Sequence, residues 1–155
     1  MKALAQLIAT GFGLGRVPLA PGTAASLAVL PLGWFFAFLG ARALCLAIVL
    51  SVIVGVWASQ SYAKTIGVKD PSECVIDEVA GQWIALAPIA LEGKVFAWQP
   101  LVMAFLLFRL LDMTKPWPVH AMEKLEGGLG IMADDIMAGL IAAAALYVML
   151  AIGLV

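Results

Sequence analysis

This sequence predicts an all-α, polytopic membrane bundle, and three observations predict it. Apolar residues fill 64% of its 155 positions and charged residues only 12%, against about 45–50% and about 25% in soluble domains. The mean hydropathy is +1.06. The few charges fall in short polar stretches separated by apolar runs, each near the roughly 17–25 residues that cross a bilayer. About four to five apolar helices and a short N-terminal helix fit one membrane-embedded domain over residues 1–155.

Taken in order, residues 3–10 predict a short amphipathic or buried helix. Lys2 and the run behind it faintly resemble a signal peptide, but no small-x-small cleavage site follows, so the stretch reads as mature sequence. GFGLGRVPLAPGT (residues 11–23) is too rich in Gly and Pro for regular helix and leaves backbone N–H groups free. It is not a dinucleotide fingerprint, since no strand precedes it and no GxGxxG is complete. Thr23 or Ser26 is the expected cap of the next helix, residues 24–39, with a bend at Pro31. A turn at 40–42 leads into a second apolar run, 43–59.

Residues 60–78, QSYAKTIGVKDPSECVIDE, form a second polar stretch. Asp70-Pro71 signals a turn and Ser72 is the expected N-cap of a helix through Val75 and onward. Asp77 and Glu78 then lie in its first turns, where the helix dipole favours carboxylates. The rest of that helix is apolar to Leu91 and interrupted by Pro88, short for a span. Residues 92–94 turn into a fourth run, 95–111. A long polar loop extends to Ala133, and the last helix is expected from Asp134 to Val155. Its Ala138, Gly139 and Ala142–Ala145 suit close helix packing.

Counting spans from a cytoplasmic N-terminus places 1–23, 60–78 and 109–135 on one side, and 40–42 with 92–94 on the other. Lys2, Arg16, Lys64, Lys69, Arg109, Lys115 and Lys124 fall on the first side, and Arg42 and Lys94 on the second. That asymmetry obeys the positive-inside rule. Every acidic residue except Glu92 also falls on the first, cytoplasmic side. Three polar stretches can therefore meet at one rim.

The richest of them is FRLLDMTKPWPVHAMEKLEGGLGIMADDIMAG, residues 108–139, with five of the ten acidic residues and three of the nine basic ones. Charges at the mouths of apolar helices are costly to desolvate and are commonly kept for function. Together the stretches offer Asp70, Asp77, Glu78, Asp112, Asp134 and Asp135, with Arg109 and Lys115. Mg²⁺ prefers carboxylate oxygens, and phosphate prefers Arg, Lys and free amides. Metal-assisted chemistry on a phosphorylated lipid headgroup fits this set. A proton or ion pathway, an assembly subunit and a structural charge network compete with it.

Composition also excludes several alternatives. A net charge of −1 with no basic cluster gives no sign of nucleic-acid binding. Cys45 and Cys74 form neither a disulfide framework nor a metal box, and each reads as a small buried thiol. A phosphocysteine route needs Cys-x5-Arg, but Ser51 and Ala80 occupy the relevant positions. Asp-x-Asp is absent, and His120 is the sole histidine, expected on the surface.

On these blocks the chain resembles the bacterial phosphatidylglycerophosphatase A family. The residues that carry the resemblance are GFGLGRVPLAPGT with Ser26 behind it, DPSECVIDEVAG, and FRxxDxxKPxP followed by DDxxAG. Ala25 stands where the family tends to have Gly. The resemblance implies an inner-membrane, Mg²⁺-dependent phosphatase, active site toward the cytoplasm, converting phosphatidylglycerol phosphate to phosphatidylglycerol and inorganic phosphate. A phosphatase for a neighbouring lipid such as phosphatidic acid is the nearest alternative within that chemistry.

With the resemblance, Asp77, Glu78, Asp134 and Asp135 are expected as metal ligands. Asp112, Asp134 and Asp135 are the catalytic candidates: one activates a water held by the metal, or an Asp forms an acyl phosphate. Arg109 and Asp112, at i,i+3, share a helix face and can pair. Arg109 and Lys115 are expected to bind the substrate phosphate, with Thr23 and its Gly/Pro loop against the phosphate or headgroup. Asp70 joins the ligands or merely forms a turn, with nothing to choose between the two. The oligomeric state is left open.

Overall fold

The computed structural model describes residues 2–155, which are helical throughout their regular structure. The helices are α1 (Lys2–Ala9), α2 (Pro21–Phe38), α3 (Ala41–Ile66), α4 (Ile76–Ala85), α5 (Ala87–Leu91), α6 (Trp98–Thr114), α7 (Val119–Met122) and α8 (Gly127–Ala151). Between α1 and α2, residues Gly11–Arg16 take 3-10 geometry, broken at Phe12 and Gly13 by positive φ. Among the described residues three helices are long and apolar enough to cross a membrane: α2, α3 and α8. Their outer faces expose Leu32, Phe35, Leu46, Val49, Ile53, Leu140 and Val148, an apolar surface suited to lipid.

The two rims sort as the charge pattern predicts. At one end, Trp34 Nε1 of α2 donates to the Val95 carbonyl at 2.6 Å, and Phe38 packs edge-on to Phe96 at 5.9 Å. That end holds the 92–96 turn. At the other end Gly22 of α2 lies against Glu78 of α4 and Arg109 of α6. α4 is the buried centre of the bundle, packed by α2, α3, α6 and α8.

Several boundaries differ from expectation, each for a local reason. α2 starts at Pro21, which suits the first helical position because its missing N–H costs nothing there. Neither Thr23 nor Ser26 caps it. Ser26 lies a turn inside, and its hydroxyl donates to the Gly22 carbonyl at 2.8 Å. α3 continues past Ser59 to Ile66 and ends at Gly67, whose left-handed backbone lets its N–H reach the Ala63 carbonyl at 2.9 Å. The N-cap of α4 is Val75, without a side-chain hydrogen bond, and not Ser72. Cys74 is buried as expected, but Cys45 faces outward from α3.

The largest difference is at α8, which begins at Gly127 and not at Asp134. GGLG, expected in the long polar loop, is here the first turn. A Cβ on Gly128 would strike the Val56 carbonyl of α3, and one on Gly130 the Leu125 carbonyl. The glycines therefore serve close approach. The cap comes from a distant residue: the Gly128 N–H donates to Gln60 Oε1 at 2.7 Å, satisfying one of the orphan donors of the first turn. Asp134 and Asp135 consequently sit two turns inside a buried helix. They are not its N-terminal pair.

Candidate active site

The site is built by two glycines before it is built by acids. Asp77 and Gly81 are i,i+4 on α4, and so are Asp135 and Gly139 on α8, so each pair shares one helix face. A Cβ on Gly139 would come within 2.5 Å of the Gly81 carbonyl, and one on Gly81 within 2.7 Å of the Asp135 carbonyl. With no side chains between them, the two backbones touch. One turn toward the rim, the carboxylates are brought together.

Asp77, Glu78 and Asp135 each offer a carboxylate oxygen within 4.8 Å of the other two. Asp77 Oδ1 also accepts the Glu78 N–H at 3.1 Å. Asp135 is 4% exposed. Glu78 Oε2 and Asp135 Oδ2 are buried and have no hydrogen-bond partner among the described residues. Two unit charges about 4 Å apart repel by roughly 4 kcal/mol even at an effective dielectric of 20, a repulsion that a cation between three such groups would relieve. The donor set is all carboxylate oxygen, the preference of a hard divalent ion and not of thiolate- or imidazole-seeking metals. The residues fit such an ion.

Around this cluster stand the cations. Arg109 Nη1 of α6 pairs with Asp112 Oδ2 at 2.6 Å, both side chains 12% exposed, and reaches Ser26 Oγ at 3.4 Å. The i,i+3 pairing expected from the sequence is therefore present. Asp112 is buried and stands beside Glu78 and Asp135. Gly22 leaves room here: a Cβ in its place would displace the Glu78 carboxylate and press on Arg109. Thr23 follows it, half-buried on α2.

Lys115 ends α6 in a left-handed conformation, its N–H on the Leu111 carbonyl at 2.8 Å. Its ammonium donates to Asp134 Oδ2 at 2.6 Å and to Glu123 Oε1 at 2.7 Å. Burial opposes the charge on Lys115, but these two carboxylates outweigh it and raise its pKa. Lys115 in turn holds the Glu123 carboxyl below its ordinary value.

The geometry thus brings Asp77, Glu78 and Asp135 to one point, with Arg109 and Asp112 adjoining. Asp134, 7% exposed, is held by Lys115 and lines a separate polar cavity of about 290 Å³ with Lys69, Asp70 and Glu123. Asp70 therefore stands with Asp134 and apart from the three-carboxylate cluster. His120 is exposed, its Nδ1 2.8 Å from Glu123 Oε2. Sequence reasoning missed Glu123, Gln60 and the buried Gln82, and it gave Ser26 as a helix cap and not as a partner of Arg109. The i+4 spacing of Gly81 and Gly139 behind the acids was the signal for the close helix contact.

A sequence model of the family described as phosphatidylglycerophosphatase A matches residues 7–150. The Escherichia coli phosphatidylglycerophosphatase A is 41% identical over 143 residues, 92% of this chain and 81% of the relative. The Haemophilus influenzae protein of that name is 39% identical over 139 residues, 88% of this chain and 83% of the relative. A Bacteroides thetaiotaomicron protein, provisionally named phosphatidylinositol-3-phosphatase, is 38% identical over 143 residues, 88% of this chain and 87% of the relative. No solved structure matches the chain.

Proposed function

This chain belongs to the phosphatidylglycerophosphatase A family and is a phosphatase, and we propose that its substrate is phosphatidylglycerol phosphate. The products are phosphatidylglycerol and inorganic phosphate, formed at the cytoplasmic face of a bacterial inner membrane as the closing step of phosphatidylglycerol synthesis. The positive-inside asymmetry of the loops supports that orientation. The single observation that carries the reading is the convergence of Asp77, Glu78 and Asp135 beside the Arg109–Asp112 pair.

Asp77, Glu78 and Asp135 are the residues that would hold Mg²⁺. When bound, the ion supplies charge stabilisation to the phosphoryl group and acidifies a water. The protein's own groups do the rest. Arg109 is held by Asp112 and Ser26 with its guanidinium beside the cluster, where it orients a phosphomonoester and offsets the charge that shifts onto its oxygens in the transition state. Asp112, buried against Arg109 and close to Asp135, accepts the proton of the attacking water as general base. Lys115, fixed by Asp134 and Glu123, adds positive charge at the rim, and Asp134 acts by positioning it. Gly22 and Thr23 at the start of α2, with the 11–20 segment before them, border the entry to Glu78 and Arg109 and face the headgroup.

A second reading keeps the chemistry and changes the headgroup, and the Bacteroides relative favours it. Phosphate on inositol, like phosphate on glycerol, is a phosphomonoester on a membrane lipid. The test is phosphate release by purified protein in detergent from phosphatidylglycerol phosphate, phosphatidylinositol 3-phosphate and phosphatidic acid, with Mg²⁺ and with EDTA. Mg²⁺-dependent turnover with the first substrate preferred supports the proposal. Full activity in EDTA, or equal efficiency on phosphatidic acid, refutes the metal or the substrate respectively.

A further inference from the structure

Gln82 of α4 is wholly enclosed, 0% exposed, and neither its Nε2 nor its Oε1 has a hydrogen-bond partner among the described residues. A primary amide offers two donors and an acceptor, and burying it unpaired opposes folding. In an apolar bundle, Leu or Met at this position would remove that penalty. Its place in the helix indicates what it serves. Gln82 is i+4 from Glu78, so the two side chains lie one above the other on the same face of α4. Glu78 Oε2 is itself a buried acceptor without a partner. A donor and an acceptor, both unpaired and both buried, are stacked one turn apart.

Arg109 Nε is a further buried donor without a partner, but its guanidinium is turned to Asp112 and Ser26 through Nη1. Gln82 is therefore the neutral donor on Glu78's own helix. We propose that Gln82 is a positioning residue of the carboxylate site: its amide N–H, through one buried water, holds Glu78 Oε2, so that the other Glu78 oxygen is presented to a divalent cation. Water in buried polar sites of this kind commonly makes about three hydrogen bonds, and the Gln82 carbonyl oxygen and Glu78 Oε2 are acceptors for its protons while Nε2 is a donor to its oxygen. Partners that orient a metal-binding carboxylate typically govern metal affinity by about 10–100-fold.

This inference rests on the reading that Asp77, Glu78 and Asp135 hold a divalent ion, and the experiment separates the two. Mn²⁺ binding to the purified full chain in detergent is measured directly by electron paramagnetic resonance, beside melting temperature and phosphate release at saturating Mn²⁺. Gln82→Leu is expected to weaken Mn²⁺ binding by about 10–100-fold, to leave kcat at saturating Mn²⁺ within a few-fold, and to keep or raise the melting temperature of the metal-free protein. Gln82→Met, unbranched and closer in shape, repeats the measurement if the Leu variant packs badly. Mn²⁺ affinity unchanged in either folded variant overturns the role of Gln82 alone. A wild-type chain that binds no Mn²⁺ overturns the metal reading as well. Loss of folding in both variants makes Gln82 structural and overturns the proposal.

Discussion

Gly81 of α4 and Gly139 of α8 meet backbone to backbone, close enough that a Cβ on Gly139 would lie 2.5 Å from the Gly81 carbonyl. This contact sets the helix separation one turn below the carboxylates, so it should control chemistry without touching substrate. Gly139→Ala forces two rigid helices apart, because a helix carbonyl cannot yield as a flexible side chain can. We expect a loss of stability of about 1–3 kcal/mol, the usual cost of overpacking. Phosphate release should fall by up to about 100-fold, since misplacement of about 1 Å costs that much in a positioned site. Thermal melting and turnover of the detergent-solubilised variant check both numbers.

The three carboxylates should show stability and activity moving in opposite directions. Asp135→Asn and Glu78→Gln each remove one of three mutually repelling carboxylates held close together. Without metal, each variant should melt higher than the wild-type chain. With Mg²⁺, each should lose more than about 100-fold in activity, exceeding the usual cost of losing a residue that only orients a ligand. The stabilisation by added Mg²⁺ should shrink with it. Melting curves with Mg²⁺ and with EDTA test the pair of effects, and unchanged activity in both variants would remove the site.

How far this arrangement could be read beforehand varies by element. Apolar runs, the two rims and the Arg109–Asp112 pair are local or compositional signals, and all survive in the fold. The clustering of Asp77 and Glu78 with one member of the Asp134–Asp135 pair follows from acids segregated to one rim. Which member joins them was not legible. Adjacent helical residues point about 100° apart, and the choice depends on the rotation of α8 about its axis. That rotation is set by Gly139 against Gly81 and by the Gln60 cap, both contacts between residues far apart in sequence. α8 starts before the expected Asp134 because tight packing against α3 favours glycine there, overriding its low helix propensity.

Arg109 should not tolerate lysine. Its guanidinium reaches Asp112 at 2.6 Å and Ser26 at 3.4 Å, a planar group held from two sides. An ammonium carries the charge but cannot make the forked contact to a phosphate. A hydrogen bond to a charged group is worth about 1.5–3 kcal/mol, so Arg109→Lys should lower kcat/KM by about 10–100-fold while leaving Mn²⁺ affinity near wild type. Ser26→Ala, which removes only the weaker contact, should cost a few-fold. Steady-state kinetics on the two variants would expose a merely structural arginine, for which kcat/KM would follow the melting temperature.

Lys115 holds Asp134 and Glu123 together, and their unequal burial predicts unequal consequences. Asp134 has a side chain only 10% exposed, whereas Glu123 is 38% exposed. Removing the cation by Lys115→Met leaves Asp134 as an uncompensated buried charge, a class of change costing about 3–5 kcal/mol. Lys115 is itself about a third exposed, so solvent screening brings the expected loss to about 1–3 kcal/mol. Adding Asp134→Asn should restore much of it, giving a coupling between the two sites that a double-mutant cycle reads directly. Glu123 behaves differently. Lys115 lowers its pKa in the folded state, so its contribution is complete above the unfolded value, about 4.3, and is lost as pH falls through the lowered one. Glu123→Gln should therefore flatten the acid limb of the stability profile and leave stability at neutral pH only slightly reduced. An acid limb unchanged by Glu123→Gln would mean that Lys115 serves Asp134 alone.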